Sequence, residues 1–228
     1  MAYVQTRHAK LGELLSASFE VLAAAWRPIA IYLGAFAALG LLLSFNAITT
    51  IVSVIAFVAY FPAQYWLYRE VLSKMGMSYD ASFRVFSLFF MSCLLGMGIG
   101  AAMNLFYIPG IILGAKWIMS PTYLVRGEGD LIQCIGASWR ASKDNTLALS
   151  LAFTIMVVIG GLLFPLLFAV MDLTDGAGIG GMGFIDNPFS GVVFSLALNV
   201  VPVLLMSLSV ASYRLLADDT QEVAEVFA

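Results

Sequence analysis

The chain has few charged residues. Only 11% of its 228 residues are Asp, Glu, Lys or Arg, whereas 61% are hydrophobic. A soluble globular chain carries about 25% charged residues and could not cover so much apolar surface. The net charge is −3, so the basic face that nucleic-acid binding requires is absent. The composition therefore excludes nucleic-acid binding and predicts an integral membrane protein.

Residue types that commonly carry chemistry are also scarce. His8 is the only histidine, and it lies in the polar N-terminal segment, so histidine-based metal or acid–base chemistry inside a membrane is unsupported. Cys93 lies in an apolar segment and Cys134 in a polar one, which predicts two free thiols. The first residues lack the apolar core and cleavage site of a signal peptide. We find no catalytic constellation and expect neither a cofactor nor an enzyme.

Long apolar segments predict an all-α membrane domain covering residues 1–228, with six transmembrane helices arranged as three hairpins. The predicted spans are residues 29–45, 47–68, 85–107, 110–125, 146–171 and 189–215. An apolar helix of about 20 residues crosses a ~30 Å hydrocarbon core. The Pro109-Gly110 pair is predicted to form the turn between spans three and four, and Pro165 and Pro202 are predicted to kink spans five and six.

Two segments have the periodicity of amphipathic helices that lie in the membrane interface. The first covers residues 11–26. The second follows span four and includes Ser138, Trp139, Arg140 and Lys143. Its apolar face is formed by Ile132, Ile135 and Trp139, and its polar face by Gln133, Arg140 and Lys143.

Basic residues lie on one side of the predicted spans. Ten of the eleven Lys and Arg residues lie before span one, between spans two and three, between spans four and five, or at the C-terminal end of span six. By the positive-inside rule, both termini and these connections are cytoplasmic.

A four-residue pattern recurs ahead of each predicted hairpin. It reads Ala17-Ser18-Phe19-Glu20, Ala81-Ser82-Phe83-Arg84 and Ala137-Ser138-Trp139-Arg140. The recurrence suggests three units, each an interfacial segment plus two spans, related by an axis along the membrane normal. Chance similarity in a chain rich in Ala, Ser and Phe is the alternative.

Lys116 is the only basic residue in the interior of a predicted span, since Arg214 lies at the very end of span six. At six residues past Gly110 it would lie about 9 Å from the outer end of its helix, where a charge is costly without a partner. One interpretation is that the side chain snorkels to the outer interface or bonds Asn104, Asn199 or a carbonyl. The other is an anion site for a lipid phosphate or a carboxylate, with Lys116, Trp117, Asn104 and Asn199 as candidate residues.

Two further motifs concern helix packing and proteolysis. Gly96 and Gly100 have GxxxG spacing, which predicts the close approach of another helix. Tyr79-Asp80 and Gly127–Asp130 resemble the YD and GxGD motifs of intramembrane aspartyl proteases, in which two membrane-embedded carboxylates share a proton. Here both aspartates fall in predicted cytoplasmic loops beside basic residues, which argues against a protease.

The central segment resembles the integral membrane domain that is joined to some bacterial glycerophosphodiester phosphodiesterases and also occurs in stand-alone membrane proteins. The matching features are Pro109-Gly110, Lys116-Trp117, Pro121, Gly127-Glu128-Gly129, Ser138-Trp139 and Lys143. The Ala-Leu-Arg-Arg run often seen before the Ser-Trp pair is Cys134-Ile135-Gly136-Ala137 here, so this segment is less basic. The phosphodiesterase domain is missing. The resemblance implies the bacterial inner membrane and lipid-related work, but not hydrolysis by this polypeptide.

The leading functional hypothesis is a non-enzymatic accessory or scaffold protein. It would organise membrane lipids or a membrane protein partner, or self-associate, through its cytoplasmic amphipathic segments and its glycine face. The alternative is a transporter or lipid-handling permease with an anion site at Lys116. An intramembrane enzyme ranks third.

Overall fold

A computed structural model describes residues 8–43, 49–80, 82, 84–175 and 188–218. Within them the fold contains helices and no strand, as the sequence predicts. The helices are α1 (Leu11–Ala24), α2 (Trp26–Leu43), α3 (Thr49–Lys74), α4 (Val85–Leu105), α5 (Tyr107–Trp117), α6 (Ser120–Arg126), α7 (Leu131–Ala141), α8 (Thr146–Asp175) and α9 (Pro188–Tyr213). A 3₁₀ turn (Lys143–Asn145) precedes α8, and a π-helical turn (Arg214–Asp218) follows α9.

Several helices are long and apolar enough to cross a membrane. Four such segments are present in the described residues, namely Val85–Leu105, Tyr107–Arg126, Lys143–Leu163 and Gly191–Ala217. The pair formed by α1 and α2 is bent by 73° and adds a fifth if the two helices are counted as one broken span. These helices confirm the prediction of an apolar, helical fold compatible with a membrane, whereas the number six stays a prediction.

Six of the helices, all except α1, α6 and α7, pack against one another in chain order. Helix α2 packs on α3, α3 on α4, α4 on α5, α5 on α8 and α8 on α9, and the contact between α9 and α2 closes the ring. Helix α1 packs across α8 and α9. Helix α9 is therefore a neighbour of α1, α2 and α8 together, and its polar side chains are buried among them.

The contact between α2 and α9 combines hydrogen bonds with a close backbone approach. The Ser195 hydroxyl donates to the carbonyl of Phe36 at 2.6 Å, and the Tyr32 hydroxyl donates to Asn199 Oδ1 at 2.8 Å. Gly40 lies against Gly191, so closely that a Cβ atom on Gly40 would be 2.8 Å from the Gly191 carbonyl carbon. Small residues let helices approach, and polar groups in an apolar environment need partners inside the protein.

The hairpin of α4 and α5 turns earlier than the sequence predicted. The break lies at Phe106, and Pro109-Gly110 is part of the first turn of α5. Proline is tolerated there because the first N–H groups of a helix have no partner within the helix. Gly110 serves packing instead, since a Cβ atom on it would lie 2.7 Å from the backbone nitrogen of Met103 on α4.

Three connections meet at one end of the bundle, which we call the polar end (residues 75–80, 82, 84, 127–130 and 142–145). Tyr65 donates a hydrogen bond to the Ser82 carbonyl at 2.7 Å, and Arg84 donates one to the Gly129 carbonyl at 2.8 Å. The Ala9 N–H donates to Asn145 Oδ1 at 2.8 Å. The Arg84 contact joins two of these connections, and their common side of the membrane stays a prediction.

The threefold repeat is not confirmed. Ser18 and Ser138 are buried in the middle of α1 and α7, but Ser82 lies in a bend between α3 and α4. Ala81 and Phe83 of the second pattern lie outside the described residues, as does the predicted turn at residues 44–47. In the part of the second unit that the structure describes, no helix corresponds to α1 and α7.

We expect Gly40→Ala to destabilise the protein because the added methyl group would push α2 away from α9. Overpacking of this kind costs about 1–3 kcal/mol. The matched control is Gly34→Ala on the same helix, where nothing lies within 4 Å of the added atom. That change should be neutral or stabilise by up to about 1 kcal/mol, because Ala favours helix over Gly. Thermal unfolding in detergent measures both, and equal transition temperatures for the two variants would contradict the prediction.

Candidate functional site

Lys116 lies in the last turn of α5 and points toward helix α7. Its side chain is 9% exposed, and its ammonium lies 5.2 Å from the centroid of the Trp139 ring. A cation over the face of an indole ring is attracted by the negative potential of that face. Among the described residues, no carboxylate lies within 4 Å of this ammonium. Lys116 is therefore a buried cation that contacts an aromatic ring but has no ion-pair partner in this part of the chain.

The Ser138 side chain attaches α7 to the break between α5 and α6. Helix α5 ends at Trp117 and α6 begins at Ser120, which leaves backbone groups near the break without their usual partners in a helix. The Ser138 hydroxyl donates to the Lys116 carbonyl at 2.7 Å and accepts from the Met119 N–H at 3.2 Å. One buried serine thus satisfies a carbonyl and an N–H, and it places the neighbouring Trp139 next to Lys116.

The N-terminus of α7 is held by a reciprocal cap. The Asp130 carboxylate accepts from the Gln133 N–H at 2.9 Å, and the Gln133 side chain accepts from the Asp130 N–H at 3.2 Å. A capping box of this kind satisfies two donors that the first turn would leave unpaired. Helix α7 therefore begins at a defined residue, immediately after the Gly127–Gly129 loop.

Helix α7 has three different faces. The face toward the protein carries the small side chains of Cys134 and Ser138, which are buried. A second face carries Ile132 and Trp139, whose exposed fractions are 77% and 46%. The remaining side is polar and exposed, and includes Gln133, Arg140 and Lys143. An apolar face turned away from the protein beside a basic face is typical of a helix that lies in the membrane interface.

Burial raises the pKa of the Cys134 thiol to about 11. The negative charge of Glu128 acts in the same direction. The thiolate is the reactive form of cysteine, so Cys134 stays protonated at neutral pH and contributes packing.

The other residues predicted around Lys116 have different partners. Asn104 donates to the Gly100 carbonyl at 2.8 Å, and Asn199 bonds Tyr32 and Ser195. The Trp117 ring packs against Gly98. Neither asparagine is thus among the contacts of the Lys116 ammonium. Trp139 does contact the ammonium. The sequence placed Trp139 only in an interfacial segment, because no sequence pattern shows which way the side chain of a lysine near a helix break points.

The glycines of α4 are used in different ways. A Cβ atom on Gly98 would lie 2.6 Å from the nearest atom of the Trp117 ring, so this glycine makes room for α5. Nothing in the described residues lies within 4 Å of a Cβ atom on Gly96 or Gly100. The GxxxG pair is therefore not occupied by another helix of this part of the chain.

The two loops with the aspartates of the protease-like motifs do come together. The Asp80 N–H donates to the Val125 carbonyl at 3.3 Å, and Gly127, at φ +84°, lies against the Asp80 side chain. Asp80 forms an ion pair with Arg84 at 3.0 Å, and Asp130 caps α7. Hydrogen bonds from Ser82, together with Arg84, hold the pKa of Asp80 below its ordinary value. A proton-sharing dyad requires a raised pKa on one carboxyl group, so the contacts of these aspartates are those of loop packing.

A second polar cluster joins the end of α9 to the loop before α7. Arg126 Nε lies 3.0 Å from Glu128 Oε1, and the Tyr213 hydroxyl donates to the same oxygen at 2.5 Å. The Arg126 guanidinium also lies 4.7 Å from the centroid of the Tyr213 ring. Sequence analysis missed this cluster because Tyr213 is 85 residues away from Glu128.

No group of three His, Cys, Asp or Glu residues in the described part of the chain could hold a metal ion. Comparison of the chain with protein-family models, with curated proteins and with solved structures found no match. The resemblance to the membrane domain of the phosphodiesterases therefore stays a prediction that depends on the quoted residues alone.

We expect Ser138→Ala to destabilise the protein, because it leaves a buried carbonyl and a buried N–H unpaired. The loss should be about 1–3 kcal/mol. The control is Ser16→Ala on α1, where the hydroxyl is exposed and bonds only the Glu13 carbonyl; this change should stay within about 0.5 kcal/mol. Unfolding in detergent measures both, and a Ser138→Ala variant as stable as the wild type would refute the bridging role.

The ionised form of Asp80 is expected to stabilise the fold at neutral pH. Its folded-state pKa is below the ordinary value of 3.8, so the contribution is complete above about pH 5 and is lost as the pH falls through the folded-state pKa. The transition temperature of Asp80→Asn should therefore be lower than that of the wild type at pH 7, and the difference should shrink at pH 3. Glu20→Gln, at an exposed carboxylate on α1, should change neither value. A difference that grows on acidification would contradict this assignment.

Proposed function

We propose that this chain is a non-enzymatic, six-span protein of the bacterial inner membrane, with its polar end in the cytoplasm. It acts as an accessory or scaffold module that contacts membrane lipid through α7 and another transmembrane helix through α4. The observation that carries the proposal is the outward apolar face of α7, where Ile132 and Trp139 are exposed beside basic side chains. Such a face is stable when it lies at the boundary of headgroups and acyl chains.

The distribution of charge supports the proposed orientation. Lys74 and Arg84 flank one connection of the polar end, and Arg126, Arg140 and Lys143 lie in or beside the others. Basic residues accumulate on the cytoplasmic side of membrane proteins. Termini near this end would then be cytoplasmic, because Ala9 contacts Asn145 and α9 ends beside Glu128.

The pairing of charges supports a structural role over catalysis. Asp80 pairs with Arg84, Glu128 pairs with Arg126 and Tyr213, and Asp130 caps α7. Each of these acidic groups is engaged with a nearby residue of its own connection, with the end of α9 or with the first turn of α7. A scaffold needs a rigid polar end of this kind, and it needs exposed faces on which a partner can bind.

A transporter or lipid-handling permease is the second candidate, and the buried ammonium of Lys116 favours it. A small pocket between α2, α3 and α9, next to Pro202, is lined by Tyr32, Gln64 and Tyr68 among others. Proline-broken helices line the substrate sites of many carriers. Lys116 does not line this pocket, so the permease hypothesis requires two separate polar sites.

The scaffold proposal is tested by filling the open glycine face of α4. We expect the double variant Gly96→Leu with Gly100→Leu to keep its stability in detergent, because nothing in the described chain lies near either position. It should lose association with another helix, because bulky side chains prevent close helix contact. Association between copies is measured by energy transfer between labelled chains in vesicles. Contacts with other proteins are measured by cross-linking in native membranes.

Ala101→Leu is the control, since it introduces a leucine side chain at the neighbouring exposed position on α4. It should preserve both signals. If the glycine double variant is folded and keeps both energy transfer and cross-links at the level of the control, the proposed role of this face is wrong.

A further inference from the structure

We propose that Lys116 and Trp139 form a binding site for one phosphate group, that of an anionic phospholipid headgroup in the cytoplasmic leaflet. The proposal deepens the proposed function and depends on its placement of α7 in the membrane interface. It assigns a ligand class to a lysine that the sequence left between a side chain snorkelling to the outer interface and an anion site. The ammonium lies over Trp139, so in this proposal it is directed toward α7 and not toward the outer interface.

The positive charge of Lys116 belongs to a residue that is 9% exposed as a whole. Its ammonium carries three N–H donors. The Trp139 ring at 5.2 Å attracts the charge but offers no lone pair to accept an ordinary hydrogen bond. Burial of a charge is costly unless the charge is paired and hydrogen-bonded. An oxyanion ligand would supply both the opposite charge and the missing acceptors.

Acidic residues of the chain itself could supply the negative charge opposite Lys116. Around the polar end, Asp80, Glu128 and Asp130 are bound to Arg84, to Arg126 with Tyr213, and to the N-terminus of α7. None of these carboxylates lies within 4 Å of the Lys116 ammonium. The described chain therefore offers no carboxylate as its partner, and a bound anion from outside is the source of negative charge that we propose.

The position of Trp139 favours a lipid as the source of the anion. Trp139 is 46% exposed on the face of α7 that also carries Ile132, and tryptophan rings prefer the headgroup level of a bilayer. Arg140 and Lys143 are exposed on the same segment, and basic side chains next to a membrane attract anionic lipid. A phosphate that reaches Lys116 past Trp139 would keep its acyl chains beside the outward apolar face of α7.

Ser138 holds the two residues of the proposed site in place. The Ser138 hydroxyl bonds the Lys116 carbonyl and the Met119 N–H, so the backbones that carry the ammonium and the ring are joined directly. A site whose groups are held in place before the ligand arrives loses less entropy on binding. Ser138 is a positioning residue in this proposal, and Lys116 with Trp139 are the residues that contact the ligand.

The experiment is native mass spectrometry of the full chain in a mild neutral detergent, with added phosphatidylglycerol or with phosphatidylcholine of the same acyl chains. We expect the wild type to retain one molecule of phosphatidylglycerol in preference to phosphatidylcholine. Lys116→Met should reduce this preference by about tenfold or more, as expected for the loss of one charge-assisted contact. Lys116→Arg should keep it. Lys74→Met, which removes an exposed charge at the end of α3, should change it by less than about threefold.

The results separate the sources of the phosphate. If millimolar inorganic phosphate displaces the lipid from the wild type, and itself binds to the wild type but not to Lys116→Met, the site is real and its ligand is a soluble anion. Equal retention of both lipids by the wild type would overturn the proposal, and so would an unchanged preference in a folded Lys116→Met variant. If Lys116→Met does not fold, Trp139→Leu replaces it, and an unchanged preference in that variant has the same meaning.

Failure of this site is distinguishable from failure of the proposed function. The Gly96→Leu and Gly100→Leu variant tests the scaffold role without altering Lys116, Ser138 or Trp139. Loss of association in that variant, together with no lipid preference in the wild type, would keep the scaffold and remove the lipid site.

Discussion

The structure around the candidate site depends on the rule that polar groups in an apolar environment must find partners within the protein. The break between Trp117 and Ser120 creates such a need, and the Ser138 hydroxyl meets it by bonding groups on both sides of the break. This single contact determines where α7 lies. It consequently brings Trp139 over Lys116 and turns the other face of α7 outward.

The same rule explains the rest of the interior. Ser195, Asn199 and Tyr32 satisfy one another across α2 and α9, and this contact closes the ring of long helices. At the polar end, Arg84 bonds the Gly129 carbonyl and the Asp80 N–H bonds the Val125 carbonyl, so two connections far apart in sequence are joined. Lys116 stands apart from this pattern, because its charge is buried without a carboxylate partner in the described residues.

Two surfaces remain without a partner in the described chain, and each suggests a different kind of contact. The outward face of α7 combines apolar and basic side chains, which suits a lipid interface. The glycine face of α4 is open and suits another helix. Near these surfaces, the described acidic residues Asp80, Glu128 and Asp130 are engaged in local contacts, and burial keeps the Cys134 thiol protonated. A binding or organising role uses the features that are present.

The sequence by itself determined the helical class, the positions of the long apolar helices and the grouping of the polar connections on one side. Hydrophobic length and charge placement are local properties of the chain, and a membrane acts on them directly. The sequence did not determine that the α4–α5 hairpin turns at Phe106. A proline in the first turn of a helix and a proline in a loop give the same sequence signal. Only the tertiary structure decided that Lys116 faces Trp139, that Glu128 bonds Tyr213, and that Gly98 is packed while Gly96 and Gly100 are open. Those outcomes depend on which helices become neighbours, and that choice is made by packing and hydrogen bonding between residues distant in sequence.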